Sequence, residues 1–232
     1  MISIIIPTLN EEKYLGKLLK SIKEQGRDDV EIIVADADSQ DKTPEIAKKY
    51  GCKIVKGGLP AVGRNAGAKA AKGDILIFVD ADVVFPNDFF KKGLLEFEER
   101  KLEVASVMLN LEGRSFQLRM DIFYNIPILL LEKILPHGAM TIIVRKKIFN
   151  TVGGFDESVM FAEDLYFVRE AAKKGKFGLL RSIRILTTPR RYLKDGAFST
   201  YVKFILVEFY MFFLGPVRSD IFKYRFDHYH KE

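Results

Sequence analysis

Two pairs of acidic residues in this sequence are placed where they could do metal and proton chemistry. Asp80 and Asp82 follow an apolar run at residues 75–79, which is typical of a strand buried on both faces of a sheet. Two carboxylates this close repel each other unless a cation lies beside them, and Mg²⁺ or Mn²⁺ often binds such ligands together with substrate phosphates. Glu163 and Asp164 open a predicted helix, where a carboxylate could act as a general base. Taken singly, each pair is also typical of a solvated turn or a helix cap.

The surrounding sequence predicts the elements that position these pairs. Four strands, with helices between them, are predicted in the first ninety residues: 3–6, 30–35, 53–55 and 75–79. This alternation is typical of a mostly parallel sheet with right-handed crossovers. We predict that Pro7 ends the first strand, that Asn10 caps the helix after it and that Thr43 caps the next helix. Later helices are predicted at 88–101, 145–150 and 161–174, and strands at 104–111, 140–144 and 177–185.

Length and composition limit the classes to which the protein can belong. Its 232 residues suit one large domain, or a core domain with an appendage, and 48% hydrophobic with 29% charged residues is not the composition of a disordered chain. The single cysteine, Cys52, excludes an intramolecular disulfide framework and is compatible with a reducing compartment. Because the first residues lack the pattern of a secretory signal, we expect a cytoplasmic location.

The C-terminal part of the chain is basic and partly apolar. From Lys173 to Glu232 the sequence has thirteen Lys and Arg against five Asp and Glu, which suggests a polyanionic partner or an anionic membrane surface. Phe204–Leu214 is apolar apart from Glu208, but a membrane-crossing helix needs roughly 20 apolar residues. We therefore predict a main domain at 1–185 and a helical extension at 186–232. The cytoplasmic membrane surface, the protein's own core and a homodimer contact stay open as its surroundings.

Five sequence motifs occur in an order that points to one family. PTLNEE follows the first strand, Asp36 ends the second, GRNAG precedes the acidic strand, Asp80-Ala81-Asp82 ends it, and GGFDE precedes AED. Together these motifs resemble the family 2 glycosyltransferases over residues 2–185. The resemblance implies a GT-A-like (Rossmann-like) α/β fold, a mostly parallel sheet flanked by helices. It also implies that the main domain binds a nucleotide-diphosphate sugar and transfers the sugar to an acceptor hydroxyl with inversion.

The resemblance implies roles for residues on the donor side. Six residues would contact the nucleotide: Pro7, Thr8, Glu11, Asp36, Arg64 and Asp80. Asp36 would accept hydrogen bonds from the base, and Arg64 would reach the nucleotide or its diphosphate. Asp82, together with Asp80, would hold Mg²⁺ or Mn²⁺ on the diphosphate. Arg190 and Arg191 would also contact the diphosphate, through planar donors suited to phosphate.

It implies roles on the acceptor side as well. Asp164, beside Glu163, would be the catalytic base, and Gly153 and Gly154 would shape the acceptor side. We expect the helix N-terminus to favour the ionised form of Asp164 and Glu163 to raise its pKa. Processive members carry a Trp-containing motif, and this chain has no Trp, so transfer of a single sugar is expected. The acceptor is not identified, although the apolar, basic extension suggests a lipid-linked one.

Two other functions stay open. A sugar-phosphate nucleotidyltransferase also combines an α/β sheet with Mg²⁺, but it carries a Gly-rich, Arg-containing loop where this chain has PTLNEE. A non-catalytic protein that binds nucleotides or polyanions is the second alternative. We expect no nucleic-acid partner, because the basic and aromatic residues form no compact stacking motif.

Overall fold

The computed structural model describes residues 1–111, 113–138 and 140–222. Its strands are β1 (Ile2–Thr8), β2 (Val30–Asp36), β3 (Lys53–Lys56), β4 (Ile75–Val79), β5 (Val83–Val84), β6 (Val104–Leu111), β7 (Thr141–Arg145) and β8 (Phe177–Thr187). They form one eight-stranded sheet in the order β3-β2-β1-β4-β7-β6-β8-β5.

Helices connect most of these strands and cover the sheet. The α-helices are α1 (Leu15–Lys23), α2 (Thr43–Lys49), α3 (Pro60–Ala70), α4 (Leu95–Glu99), α5 (Arg114–Met120), α6 (Ile126–Leu130), α7 (Lys146–Val152), α8 (Glu163–Ala172), α9 (Arg190–Asp195) and α10 (Ala197–Leu214). Two π-helical segments, Phe89–Leu94 and Asp121–Asn125, precede α4 and α6, and a 3₁₀ turn spans Asp220–Phe222.

Both faces of β1 are buried. Ile4 and Ile6 pack with α1 on one side of the sheet, while Ile5 packs with α3 on the other. Because neighbouring side chains of a strand point to opposite faces, burial on both sides explains the uninterrupted apolar run. Gly67 allows α3 to lie directly against β1, since a Cβ there would be 2.3 Å from Ile5 Cγ2.

Six strands end at the same edge of the sheet. β1 is parallel to β2 and β4, β2 is parallel to β3, and β4 and β6 are each antiparallel to β7. β6 is parallel to β8, so the carboxyl ends of β1, β2, β3, β4, β6 and β8 share one edge. This is the edge at which open α/β sheets bind ligands. The predicted α/β sheet flanked by helices is confirmed, with parallel strands from β3 to β4 and mixed pairing beyond.

Two local predictions for the first loop are wrong. β1 continues through Pro7, which pairs with Ala35 of β2, because its pairing with β4 has already ended at Ile5. Asn10 does not cap a helix: its φ is 53°, and α1 begins only at Leu15. Asn10 instead joins two loops, since its N–H donates to Ser39 Oγ (2.9 Å) and its Oδ1 accepts from Gln40 N–H (2.8 Å).

The predicted cap of α2 is also different. Thr43 is the first residue of the helix, and its N–H donates to Asp41 Oδ1 at 2.9 Å. The Thr43 hydroxyl accepts from the Glu11 N–H at 2.8 Å, so it holds the first loop. The sequence analysis also missed β5, because two residues give no periodicity; β5 pairs antiparallel with the end of β8.

The C-terminal extension packs on α8. Val207 and Met211 of α10 form a small core with Leu165 of α8 and with Phe161 and Val217. Among the helices that the structure describes, none has the combined length and apolarity that crossing a membrane requires. β8 runs to Thr187, just past the predicted domain boundary at 185; the division itself stays a prediction.

Candidate active site

A cavity of about 650 Å³ opens at the shared carboxyl edge of the strands. Six carboxylates and two guanidinium groups line it: Glu11, Asp80, Asp82, Glu163, Asp164, Glu208, Arg64 and Arg190. Pro7 and Thr8 at the end of β1 also contribute to its wall. The structure therefore brings together residues that are up to about 180 residues apart in the sequence, such as Glu11 and Arg190.

Arg64 joins the two acidic pairs. Its guanidinium, only 5% exposed, donates to Asp80 Oδ1 at 2.9 Å and forms an ion pair with Glu163. Phe155 lies beside it, with the guanidinium carbon 5.4 Å from the ring centroid. Burial would lower the pKa of Arg64, but the charges of Glu163, Asp80 and Asp164 outweigh burial and raise it. Arg64 is thus a permanent cation between β4 and α8.

Asp164 lies in the first turn of α8 and lines the cavity. Its Oδ1 accepts a hydrogen bond from the Leu165 N–H at 2.8 Å. Burial and the charge of Glu163 raise the pKa of Asp164 to about 6, although Arg64 and the Leu165 N–H lower it. The expected effect of Glu163 is confirmed. The expectation that the surroundings of Asp164 at the helix N-terminus would favour its ionised form is wrong as a whole: the helix N–H does so, but the cost of burying the charge is larger.

Arg190 crosses the cavity from the start of α9. It donates two hydrogen bonds to the Glu11 carboxylate at 3.0 and 3.1 Å, and its Nε lies 3.0 Å from Asp82 Oδ2. The guanidinium also stacks on Tyr14, 5.0 Å from the ring centroid. Thr188 donates to the same Asp82 oxygen at 3.1 Å. Burial raises the pKa of Glu11 to about 7, although Arg190 lowers it.

Asp36 does not line the cavity, but it contacts Thr8, which does. Thr8 donates its hydroxyl to Asp36 Oδ1 at 3.0 Å, and Ser39 donates its hydroxyl to the same oxygen and its N–H to Oδ2, at 2.6 and 3.0 Å. The Asp36 carboxylate therefore organises the loop between β2 and α2. Its predicted contact with a base stays a prediction.

Gly153 and Gly154 are not brought to this cavity. Both have positive φ, 90° and 86°, and they form the turn that ends α7. They line a separate cavity of about 330 Å³. Asn65 holds this turn, since it donates to the Phe155 carbonyl and accepts from the Phe155 N–H, both at 2.8 Å. The geometry gives them a role in the turn; the side chain of Arg191 lies outside the described part of the chain.

The carboxylate oxygens of the cavity suit a divalent cation that also binds a phosphate group. Six carboxylates share the cavity with two guanidinium groups, so the cavity has an excess of negative charge. Within the described residues, no cluster of three or more His, Cys, Asp or Glu side chains could hold a metal alone. Mg²⁺ and Mn²⁺ sites often use one or two carboxylates plus substrate phosphates. Asp80 and Asp82 meet that requirement. Arg190 and Thr188 both contact Oδ2 of Asp82, so its Oδ1 accepts neither of these hydrogen bonds.

The sequence analysis missed several residues of this site. Thr188 carried no sequence pattern, because it reaches Asp82 only through the pairing of β5 with β8. Glu208 did carry one: it is the single charge in an apolar segment, and such a charge needs partners when it is buried. His137 Nδ1 lies 3.1 Å from Glu208, and Arg169 forms an ion pair with it. Burial would raise the pKa of Glu208, but these two partners lower it.

The sequence and the fold have counterparts in known proteins. The family model "Glycosyl transferase family 2" matches residues 3–155. A 4,4'-diaponeurosporenoate glycosyltransferase from Staphylococcus haemolyticus is 41% identical over 109 residues, which cover 43% of this chain and 29% of that protein. The chain spans less than a third of the length of the curated relatives that it matches first.

Two solved structures share the fold. S. aureus TarS 1-349 in complex with UDP-GlcNAc has a TM-score of 0.68 and 23% identity, covering 91% of this chain and 73% of that one. The mannosyltransferase PcManGT from Pyrobaculum calidifontis, in complex with GDP-Man and Mn²⁺, has a TM-score of 0.69 and 22% identity, covering 89% of this chain and 61% of that one. At these identities the likeness concerns the fold. Since the family model covers well over half of its residues, the chain belongs to glycosyl transferase family 2.

Proposed function

We propose that this protein is an inverting, metal-dependent glycosyltransferase that moves one sugar from a nucleotide-diphosphate sugar to an acceptor hydroxyl. The observation that carries the proposal is the single cavity in which Asp82, Asp80 and Asp164 meet at the carboxyl edge of the sheet. UDP- and GDP-sugars are the donors we propose, in line with the ligands of the structural neighbours.

Asp82, with Asp80, is the proposed holder of Mg²⁺ or Mn²⁺. When bound, the metal supplies a Lewis acid that stabilises the negative charge growing on the leaving diphosphate. Thr188 orients the Asp82 carboxylate through its hydrogen bond. Arg190 is the proposed second cation for the diphosphate, because its planar donors suit phosphate oxygens. Pro7, Thr8 and Glu11 form the wall beside which the nucleoside would bind.

Asp164 is the proposed catalytic base. It lines the same cavity as Asp82, and a pKa of about 6 leaves it ionised at neutral pH but still able to take a proton. The acceptor hydroxyl would transfer its proton to this carboxylate as its oxygen attacks the anomeric carbon. Attack on the face opposite the leaving diphosphate inverts that centre. Glu163 and Arg64 position Asp164 and keep its surroundings charged.

The proposal includes the division of the chain and its location. We retain a GT-A domain at 1–185 and an extension at 186–232, with the addition that Arg190 of the extension reaches the donor side. A cytoplasmic location at the membrane surface is part of the proposal, and so is a lipid-linked acceptor. A homodimer is the alternative use of the extension.

The experiment is donor binding and turnover by the full chain. UDP- and GDP-sugars are titrated calorimetrically with MnCl₂ or with EDTA, and release of the nucleoside diphosphate is followed. One donor should bind only with metal. Asp82→Ala should lose this metal-dependent binding, whereas Asp88→Ala should not, because Asp88 lies outside the cavity and pairs with Lys92.

Asp164→Asn separates binding from chemistry. Donor affinity should stay within about twofold, while turnover should fall by about 10²- to 10⁴-fold, as for loss of a general base. A variant that loses donor binding and retains turnover would contradict the role of Asp164. Failure of every donor to bind with Mn²⁺ would contradict the proposal as a whole.

A further inference from the structure

The exposed apolar side chains of this protein are concentrated in two segments. The first is the chain segment 193–214, which includes the end of α9 and all of α10 and in which nine large apolar side chains are exposed: Leu193, Phe198, Val202, Ile205, Leu206, Phe209, Phe212, Phe213 and Leu214. The second is 118–134, with seven: Leu118, Ile122, Phe123, Ile126, Leu130, Leu131 and Ile134. Isolated exposed apolar residues are ordinary, but contiguous patches indicate an interaction site.

The two segments lie next to each other. The rings of Phe123 and Tyr201 are 5.4 Å apart between centroids, and Tyr201 in turn lies 5.3 Å from Tyr192. We call the surface formed by the exposed apolar side chains of 118–134 and 193–214 the apolar face. Because it joins two elements that flank the cavity, its occupant also lies beside the cavity.

The cavity described above continues between these two segments as a groove. Pro127, Ile128 and Leu131 line it on one side, and Phe204, Phe209 and Phe212 line it on the other. The same cavity contains Asp164. A flat protein surface could cover the apolar face, but it would leave such a groove empty. A thin hydrocarbon chain fills the groove and places its polar end at Asp164.

The one acidic side chain inside the groove is compensated. Glu208 of α10 faces Arg169 and His137, which lower its pKa. An ionised carboxylate without partners would be costly beside a hydrocarbon chain, and this pairing removes most of that cost. The groove is therefore chemically suited to an apolar occupant along its length.

Cationic side chains border the apolar face. Arg119, Lys133 and Lys203 each adjoin exposed apolar residues in the chain, and none of them forms an ion pair within the part that the structure describes. Arg119 is close enough to Tyr201 to affect its pKa. Basic residues around an apolar surface favour an anionic membrane over a neutral one, by about 1 kcal/mol for each Lys or Arg near the surface.

We propose that the groove binds the hydrocarbon chain of a lipid acceptor, while the apolar face rests on the anionic bilayer that contains this lipid. The proposal rests on the proposed function, because it takes Asp164 as the base that receives the proton of the lipid's hydroxyl. The protein lies on the bilayer, and the acceptor reaches the cavity without leaving the membrane completely.

Vesicle flotation tests the apolar face. The full chain is mixed with vesicles of phosphatidylglycerol and phosphatidylcholine, or of phosphatidylcholine alone. It should float with the anionic vesicles at least about tenfold more strongly, since three cations contribute. Leu130→Asp and Leu214→Asp should each reduce flotation about tenfold or more, as charges placed in an apolar interface do. These side chains are 76% and 71% exposed and do not line the cavity, so donor hydrolysis without lipid should be unchanged.

Leu95→Asp is the matched control. Leu95 is also on a helix and 54% exposed, but it lies outside the apolar face. Flotation of this variant should equal that of the unmodified protein. If Leu95→Asp reduced flotation as much as Leu130→Asp and Leu214→Asp, the apolar face would not be the membrane-binding surface.

Binding of a pyrene-labelled dodecanol tests the groove. Unlabelled dodecanol should displace the probe, and Ile205→Asp should weaken binding by about tenfold or more, the cost of losing one buried aliphatic contact. Donor binding with Mn²⁺ is measured on the same samples. Normal donor binding without binding of either dodecanol or vesicles would overturn this inference alone, whereas absent donor binding would overturn the proposed function. A dimer that Leu214→Asp dissociates, with no flotation, would assign the apolar face to a second copy.

Discussion

The individual carboxylates in this cavity differ in the groups that they contact. Asp80 and Glu163 face Arg64, and Asp82 faces Arg190, so each has a guanidinium within contact distance. Asp164 instead accepts a hydrogen bond from an N–H of its own helix. Acid and base roles are separated when neighbouring titratable groups have environments that move their pKa values apart. The pKa of Asp164, raised to about 6, allows this carboxylate to be ionised at neutral pH and still to take a proton.

The pH dependence of transfer follows from this raised pKa. A carboxyl group accepts a proton from substrate only when it is ionised, so activity is retained above the pKa of Asp164 and lost below it. At saturating donor, the rate should decline below pH 6, by about tenfold for each further pH unit. Stopped assays between pH 4.5 and 8.5 measure this limb.

Glu11 provides the control for that profile, because burial raises its pKa to about 7. Glu11→Gln should weaken binding of the donor, but the rate should still decline below about pH 6. Suppose that the decline of the rate at low pH disappeared in Glu11→Gln but remained in the residual activity of Asp164→Asn. Glu11 and not Asp164 would then be the titrating base.

The sequence predicted individual site residues unevenly. Asp80, Asp82 and Asp164 carried local patterns, since each stands at the end of a strand or the start of a helix. The pairing of Arg190 with Glu11 carried none, because Glu11 lies 179 positions away and only the folded chain brings the two together. Gly153 and Gly154 show the opposite case: their motif is plain, but positive φ and the hydrogen bonds of Asn65 place them in a turn.

At the scale of elements, runs of one residue type were predicted well and loop geometry was not. β4 and β6 have the predicted bounds, because buried strands are continuous apolar runs of typical length. The start of α1 was misplaced because the polar residues before it bind the neighbouring loop, through Asn10 and Ser39, instead of capping a helix. Such long-range hydrogen bonds have no local sequence pattern.

Replacing two helical glycines with alanine should change the stability of the protein in opposite directions. Gly67→Ala should destabilise the protein by about 1–3 kcal/mol, because its Cβ would lie 2.3 Å from Ile5 Cγ2 in the central strand. Gly16→Ala should stabilise it by about 0.5–1 kcal/mol, because Gly16 is in α1 and its Cβ would lie at an ordinary 3.8 Å from Ile46. Urea unfolding measures the free energy of unfolding of both variants. A Gly67→Ala variant that is as stable as the unmodified protein, or more stable, would contradict the packing of α3 on β1.

At the scale of the whole molecule, the extension after β8 contributes to both ends of the cavity. Arg190 binds Glu11 and Asp82 on the donor side, while α10 forms one wall of the apolar groove. α8 links the two ends, since it carries Asp164 in its first turn and packs on α10 through Leu165 and Arg169. A change at Arg190 is therefore expected to affect donor binding, and a change in α10 is expected to affect the apolar groove.

Arg190→Ala should have opposite effects on the binding of Mn²⁺ alone and on the binding of the sugar donor with metal. In the unmodified protein Arg190 competes with a metal for Asp82, so its removal should raise the affinity for Mn²⁺ alone, by about threefold to tenfold for one ion pair. The same change should lower affinity for the donor with metal, because a phosphate-binding guanidinium is lost. Paramagnetic resonance titration of Mn²⁺ and calorimetry of the donor measure the two effects.

Arg184→Ala is the matched control for this pair of measurements, since Arg184 lies on β8 and pairs with Asp121 outside the cavity. Both affinities should be unchanged in this variant. Equal changes in Arg184→Ala and Arg190→Ala, or none in either, would remove Arg190 from the donor side.

The contacts of Arg64 determine how much of this chain a working fragment must retain. Its two carboxylate partners are 16 and 99 positions away, and the second, Glu163, lies beyond residue 155, where the match to the family model ends. A fragment cut at that boundary would bury Arg64 with half of its compensating charge and would leave Asp82 without Thr188 and Arg190. The part that matches the family model would therefore lack the partners that neutralise the charges at its ligand edge, and the shortest working fragment must extend past residue 190.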